Sequence, residues 1–305
     1  MSSGFRKGNI AARNPETVRA QYDAYWSVVR GCVERVLARR PRTLAHALRL
    51  LQRELVAGPA RKSRFLRLRP LGAVMTGRPL PPLAEADLYP VMARQMVADI
   101  VAEACGDDTR RIVELGSGWG GNLFHLRCGG APPAAEFHAM EFTETGRQVT
   151  RMLAALDPAM KLSIHAFDYL NADFAPLAAP MPTVVFSNHS IEQITELGRG
   201  FFDALLAVPG LQRVVHIEPV GWQLGDTGRV FALGGLFSRV LPPTISRRAD
   251  FRRRARRHAY NIDLIPQLRA LEREQRIVIE GILADHIGAN PLNPGTVVTW
   301  RPRSA

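Results

Sequence analysis

The chain has 305 residues, 46% of them apolar and 22% charged, a globular composition that fits one large domain or a domain with an appendage. No apolar stretch approaches the roughly 20 residues that span a bilayer, and the first residues, MSSGFRKGNI, lack the apolar core of a secretory signal, so a cytoplasmic location with no membrane partner is expected. Three cysteines (Cys32, Cys105, Cys128) are too few for a disulfide framework or a zinc site, so no metal is expected, and the net charge of +12 reads first as solvated arginine-rich faces, ahead of a nucleic-acid surface.

Residues 1–108 read as a helical extension or cap. Val18, Tyr22, Tyr25, Val28, Val29, Val33 and Val36 recur at helical spacing, and Tyr22, Tyr25 and Trp26 are taken first as plain amphipathic packing. A second helix, TLAHALRLLQREL, has Thr43 as cap and Gly58 beyond its end. Prolines and glycines break any element from 69 to 85, and a third helix follows with Asp87 as cap and Pro90 in its first turn.

From 109 to 305 the pattern changes to short β-rich runs alternating with helices, the mark of parallel βαβ units. The runs are RIVEL (111–115), EFHAME (136–141), KLSIHAFD (161–168), TVVFSN (183–188) and RVVHIE (213–218). After the fourth, Ile191, Ile194, Leu197, Phe201, Phe202 and Leu205 predict one helical face. A segment at 219–260 is inserted before a last helix. The chain closes on RIVIEGILADHI and GTVVTWRP, an antiparallel hairpin around GANPLNPG.

In an open parallel sheet, ligands bind beyond the carboxyl ends of the strands, so those residues carry the functional question. They are Glu114 with its glycine loop, Glu141, Asp168, Ser187 to His189, and Glu218. The loop VELGSGWGGN fits two spacings. Gly116, Gly118 and Gly121 match a dinucleotide fingerprint; Gly116, Gly118 and Gly120 match a looser glycine pattern. A carboxylate two residues before the first glycine repels a pyrophosphate where water is excluded, so Glu114 weighs against a dinucleotide.

On these residues the sequence resembles class I S-adenosyl-L-methionine-dependent methyltransferases. VELGSGWGG is similar to their first motif, and the similarity runs from about 111 to 302. The resemblance implies an α/β fold with a seven-stranded Rossmann-like sheet, order 3-2-1-4-5-7-6, last strand antiparallel. It implies S-adenosyl-L-methionine as cofactor, held by Glu114, Gly116, Ser117, Gly118 and Gly120. It also implies Glu141 on the ribose hydroxyls with Phe142 beside it, Asp168 at the adenine with Phe167 and Tyr169 flanking the ring, and Ser187 and Asn188 closing the site. Each position has a plainer reading: Glu141 as a surface carboxylate, Asp168 as a helix cap, Phe167 or Tyr169 as core.

Three residues are candidates for chemistry. His189 follows the fourth strand and has an intrinsic pKa suited to a base; a helix N-terminus is the competing reading. Glu192, one turn on, can orient it, and Glu218 can meet a substrate. No Asn-Pro-Pro-Tyr, Pro-Cys or Thr-His-Trp motif is present, which argues against adenine or glutamine amines, cytosine carbon-5 and protein arginine as acceptors. The leading expectation is an enzyme that methylates oxygen or nitrogen of a small-molecule metabolite, acidic in one version. The alternatives are an RNA or protein methyltransferase docking through the Arg247–Arg257 cluster, a cofactor-binding pseudoenzyme, and a NAD-dependent oxidoreductase. Two segments are candidate covers of the site: the N-terminal part, including Gln21–Trp26 and the loop 70–84, and segment 219–260, glycine-rich at its start like a lid.

Overall fold

Asn14 starts the first helix. Its side chain accepts from the Glu16 N–H at 2.8 Å, and Pro15 occupies the first turn, where a missing N–H costs nothing. The computed structural model describes residues 14–57, 74–75, 78–79, 89–224, 259–288 and 294–303. Helix α1 spans Pro15–Ala38, α2 spans Leu44–Ala57 and α3 spans Tyr89–Ala104. Thr43 caps α2 as expected, its hydroxyl accepting from His46 N at 3.1 Å. The expected Asp87 cap and Gly58 lie outside the described residues.

The strands are β1 (Val74–Met75), β2 (Arg78–Pro79), β3 (Arg111–Leu115), β4 (Glu136–Glu141), β5 (Leu162–Ala166), β6 (Thr183–Asn188), β7 (Leu211–Glu218), β8 (Ile277–Gly288) and β9 (Gly295–Pro302). Between them run α4 (Gly121–Gly129), α5 (Glu144–Ala154), α6 (Gly198–Leu206) and α7 (Leu264–Arg273). They form one sheet in the order β2-β1-β8-β9-β7-β6-β3-β4-β5. Strands β3 to β7 pair in parallel, and β9 is antiparallel to both its neighbours. Counted from β3, the seven long strands run 3-2-1-4-5-7-6, the order the resemblance implies. The two-residue strands β1 and β2 extend the edge beside β8. They lie where proline and glycine suggested no regular element, and two residues are too few to show a period.

Strand alternation divides the core in two. Ile112 faces the layer of α1 to α5, while Val113 and Leu115 face α6, α7 and Phe174. Val33, Val36 and Leu51 of the first two helices share one cluster with Phe124 and Phe137 of the sheet domain. The described part of 14–108 is thus a layer over the sheet, without a separate core.

The helix expected directly after β6 is broken. A single turn of 3-10 helix covers Ile191–Gln193, and α6 begins only at Gly198. Side chains distant in sequence replace helical capping here. Glu218 accepts from the N–H groups of Ser190, Ile191 and Glu192, and Asp263 accepts from Leu197 and Gly198. Of the inserted segment, residues 225–258 lie outside the described residues, and the Arg247–Arg257 cluster with them; so does most of the loop 70–84. Among the described residues no helix is long and apolar enough to cross a membrane.

Candidate functional site

Strand order reverses between β3 and β6, and the crevice beyond their carboxyl ends is where such sheets bind ligands. The loop after β3 is tied to β4 by Gly116 N (2.7 Å) and Ser117 N (3.1 Å), both donating to Met140 O. Gly116, Gly118 and Gly120 all have positive φ (67°, 57° and 76°), and Gly121 opens α4. The backbone therefore selects the 116/118/120 spacing. Two of these glycines are required by close approach. A Cβ at Gly116 would lie 2.4 Å from Ser190 Cβ, and one at Gly118 would lie 2.5 Å from the Trp26 ring. Gly116 lets the segment after β6 close on the loop; Gly118 lets α1 lie on it. Gly120 does not line the site and instead makes room for Thr150 of α5.

The loop floors a cavity of about 590 Å³. Tyr22, Tyr25 and Trp26 of α1 line it, as do Asn188–Ser190 and Glu192–Glu196 after β6. Of the two readings of this aromatic stripe, plain packing and cover of the site, the cavity lining supports the second.

Four carboxylates end strands or follow them, and each is used differently. Glu114 is 1% exposed; Oε1 accepts from Asn122 Nδ2 at 2.6 Å, and Oε2 has no hydrogen-bond partner. Burial pushes its pKa up to about 8 against the Asn122 bond, and nearby Glu141 adds to the rise. Near neutral pH this carboxyl largely keeps its proton. The repulsion of a pyrophosphate expected from sequence is correspondingly muted, and the sheet order and final hairpin carry the case against a dinucleotide. Glu141, also buried in the cavity wall, accepts from Gly118 N (2.8 Å), Thr143 N (2.9 Å) and Thr143 Oγ1 (2.6 Å). Burial raises its pKa, and the bonds from Thr143 and Gly118 oppose the rise. Four lone pairs meet three donors, so the carboxylate keeps room for a ligand hydroxyl. Phe142, beside it on the wall, carries the Arg19 guanidinium 4.3 Å above its ring.

Asp168 lines the cavity and also caps the turn Tyr169–Asn171, accepting from Leu170 N at 2.9 Å. Leu170, 49% exposed, lines the cavity beside it and was not singled out from sequence. Tyr169 lines it as well, its hydroxyl 2.7 Å from Ser190 Oγ. Phe167 does not: its ring packs against Tyr169 and Phe174 in the core beneath.

The end after β6 is built differently. Asn188 and His189 face the cavity. Ser187 is buried away from it, 3.0 Å from His216 Nδ1, and burial pushes that imidazole down to about 3. His189 has φ of 52°, uncommon outside glycine. Its Nδ1 lies 3.9 Å from Glu192 Oε2. Burial lowers the His189 pKa, but Glu192 and then Glu218 outweigh it, and the net shift is upward. Glu218 does not line the cavity. Fully buried, it holds Ser190, Ile191 and Glu192 by their N–H groups, which fixes the turn that presents His189. The substrate contact expected of Glu218 is replaced by a positioning role, because β7 ends beneath that turn.

Arg94 of α3 was missed from sequence. It lines the cavity, with its guanidinium 4.7 Å from the Trp119 ring centre. The signal was present: Arg94 precedes Val97, Ala98 and Val101 on the buried stripe of its helix, an odd place for a charge.

No family model matches this chain, and no curated protein matches it. Similar solved structures include an O-methyltransferase family protein from Burkholderia thailandensis (14% identity, TM-score 0.44), with 73% of this chain and 58% of that one covered. Another is the magnesium protoporphyrin IX methyltransferase ChlM from Synechocystis PCC 6803 with bound SAH (11% identity, TM-score 0.44, 73% and 88% covered). A third is described as a possible exported protein from Bordetella parapertussis (14% identity, TM-score 0.45, 96% and 100% covered). This chain spans little more than half of the Burkholderia protein, 58% of its length. The fold assignment rests on the strand order of the chain itself.

Proposed function

We propose that this chain is an S-adenosyl-L-methionine-dependent methyltransferase acting on an oxygen or nitrogen of a small molecule. One observation carries the reading. At the sheet's switch point, a loop of positive-φ glycines borders three buried polar atoms without hydrogen-bond partners: Glu114 Oε2, Ser117 Oγ and Trp26 Nε1. Buried polar atoms are rarely left unpaired except where a ligand or water completes them. The set fits the proposed cofactor. Glu114 suits its cationic end, Glu141 its ribose hydroxyls, and Asp168 with Leu170 its base. When bound, S-adenosyl-L-methionine supplies a methyl group on a sulfonium that departs as a neutral thioether.

The chain's own part is alignment and proton handling. His189 takes the acceptor's proton, and Glu192 stabilises the imidazolium that results. Glu218 keeps the turn fixed. A cavity of about 590 Å³ with α1 along one wall suits a small acceptor. At this end the described wall carries Glu192 and Glu196, which favours an acceptor with a hydrogen-bond donor or positive charge over an acidic one.

The test is transfer of labelled methyl from S-adenosyl-L-methionine into a metabolite extract, with RNA and protein fractions run in parallel. Label is expected in a small molecule. Label only in RNA or protein, or in no fraction, contradicts the proposal.

A further inference from the structure

We infer that Gln193 is a positioning residue, which aims the Glu192 carboxylate at His189 and acts on the reaction only through that pair; this rests on the methyltransferase reading above, with His189 as its base. Glu218, Asn261 and Gln193 hold Glu192 at separate atoms. The Glu192 N–H donates to Glu218 Oε2 at 3.3 Å, and the Glu192 carbonyl accepts from Asn261 N at 3.2 Å. On the side chain, Oε1 accepts from Gln193 Nε2 at 2.9 Å, while Oε2 lies 3.9 Å from His189 Nδ1. A bond to one oxygen limits rotation of the carboxyl group and so sets the direction of the other. An amide does this without bringing a charge, so the negative charge of Glu192 stays available to the imidazole.

Gln193 is itself anchored. It is 9% exposed, and its N–H donates to Ser190 O at 3.3 Å. The residues after it are tied to the chain just beyond the inserted segment. Asn261, 1% exposed, donates from Nδ2 to Ile194 O at 3.0 Å, Ile262 N donates to Thr195 O at 2.9 Å, and Thr195 Oγ1 donates to Ala259 O at 2.9 Å. The backbone on both sides of Gln193 is therefore fixed, and its side chain starts from a defined place. The charged groups acting on His189 are Glu192 and, from β7, Glu218. When His189 takes a proton it becomes a cation, and a carboxylate already aimed at it stabilises that state without rearranging. Without the Gln193 bond, Glu192 is free to turn away and His189 is a weaker base.

The test is a double-mutant cycle. Two apolar replacements, Gln193→Leu and Gln193→Met, are made in wild type and in Glu192→Gln. The readouts are the pH dependence of labelled methyl transfer into the metabolite extract and calorimetric affinity for S-adenosylhomocysteine. In wild type, each replacement is expected to lower the high-pH plateau of transfer about 3- to 10-fold, a part of what a general base contributes, and to move the rise to lower pH. Affinity for S-adenosylhomocysteine should stay within about twofold of wild type, which also shows that the variants fold. In Glu192→Gln, the same replacements should change the plateau by less than about twofold and leave the profile where it is, because the group they act through is gone. Equal effects in both backgrounds, an unmoved profile in wild type, or loss of S-adenosylhomocysteine binding in both replacements overturns the positioning role alone. No transfer by wild type overturns the methyltransferase reading, and the positioning role with it.

Discussion

Glu114 and Glu218 lie near the carboxyl ends of β3 and β7, which flank β6 in one sheet, are buried alike, and do different things. Burial raises both, Glu114 to about 8 and Glu218 to about 7. Glu218 accepts from three backbone N–H groups of one turn, with the Ser190 hydroxyl 3.4 Å away as a fourth neighbour, whereas Glu114 holds the Asn122 amide through Oε1 while its buried Oε2 has no side-chain partner. The difference separates a carboxylate that holds a turn of the site from the one that the proposed function assigns to a ligand. Burial and strand-end position do not distinguish them; the count of satisfied lone pairs does.

Replacing each in turn is expected to separate stability from binding. Glu218→Ala leaves three buried N–H groups unpaired and should lower unfolding stability by about 3–5 kcal/mol in urea titrations. Glu114→Gln replaces a largely protonated carboxyl by its isostere and should change stability by less than about 1 kcal/mol. A larger loss at Glu114 than at Glu218 would invert the comparison.

His189 precedes the turn that Glu218 holds, and its proposed role as base can be tested. His189→Ala should reduce turnover by about 10²- to 10³-fold while leaving S-adenosylhomocysteine affinity unchanged. A base acts in its neutral form, so wild-type turnover should rise with pH through a value above the ordinary 6.5. Glu192→Gln removes the group that raises that value and should move the rise to lower pH. An unmoved profile would remove Glu192 from the account. On the ligand side the effect is smaller: Glu114→Gln should weaken S-adenosylhomocysteine about tenfold at pH 7.

The same contrast shows what the sequence could display. Strand ends are legible because a period-two run stops at a recognisable residue, and this located Glu114, Glu141 and Asp168 at the cavity. It placed Glu218 there too, because the rule marks a strand's end and not the side from which the next loop folds over it. Gly116 and Gly118 were legible as a turn; their close neighbours, Ser190 and Trp26, belong to tertiary packing. Trp26 and Arg94 sit on helices whose periodicity explains them as a packed face, so their part in the cavity became visible only when α1 and α3 lay against the loop. The break between β6 and α6 was hidden for a similar reason. Apolar residues from Ile191 to Leu205 keep a helical rhythm, while the carboxylates that interrupt the helix, Glu218 and Asp263, come from further along the chain.

The most direct test is calorimetric titration of S-adenosylhomocysteine at pH 7 in two buffers of different ionisation enthalpy. Glu114, raised to about 8 by burial, must lose its proton to pair with an ammonium, so ligand affinity should rise as pH climbs from 6 towards 8. The account predicts one binding site with net release of up to one proton, and no release in Glu114→Gln. Absence of binding, or binding with the same proton balance in wild type and variant, would contradict it.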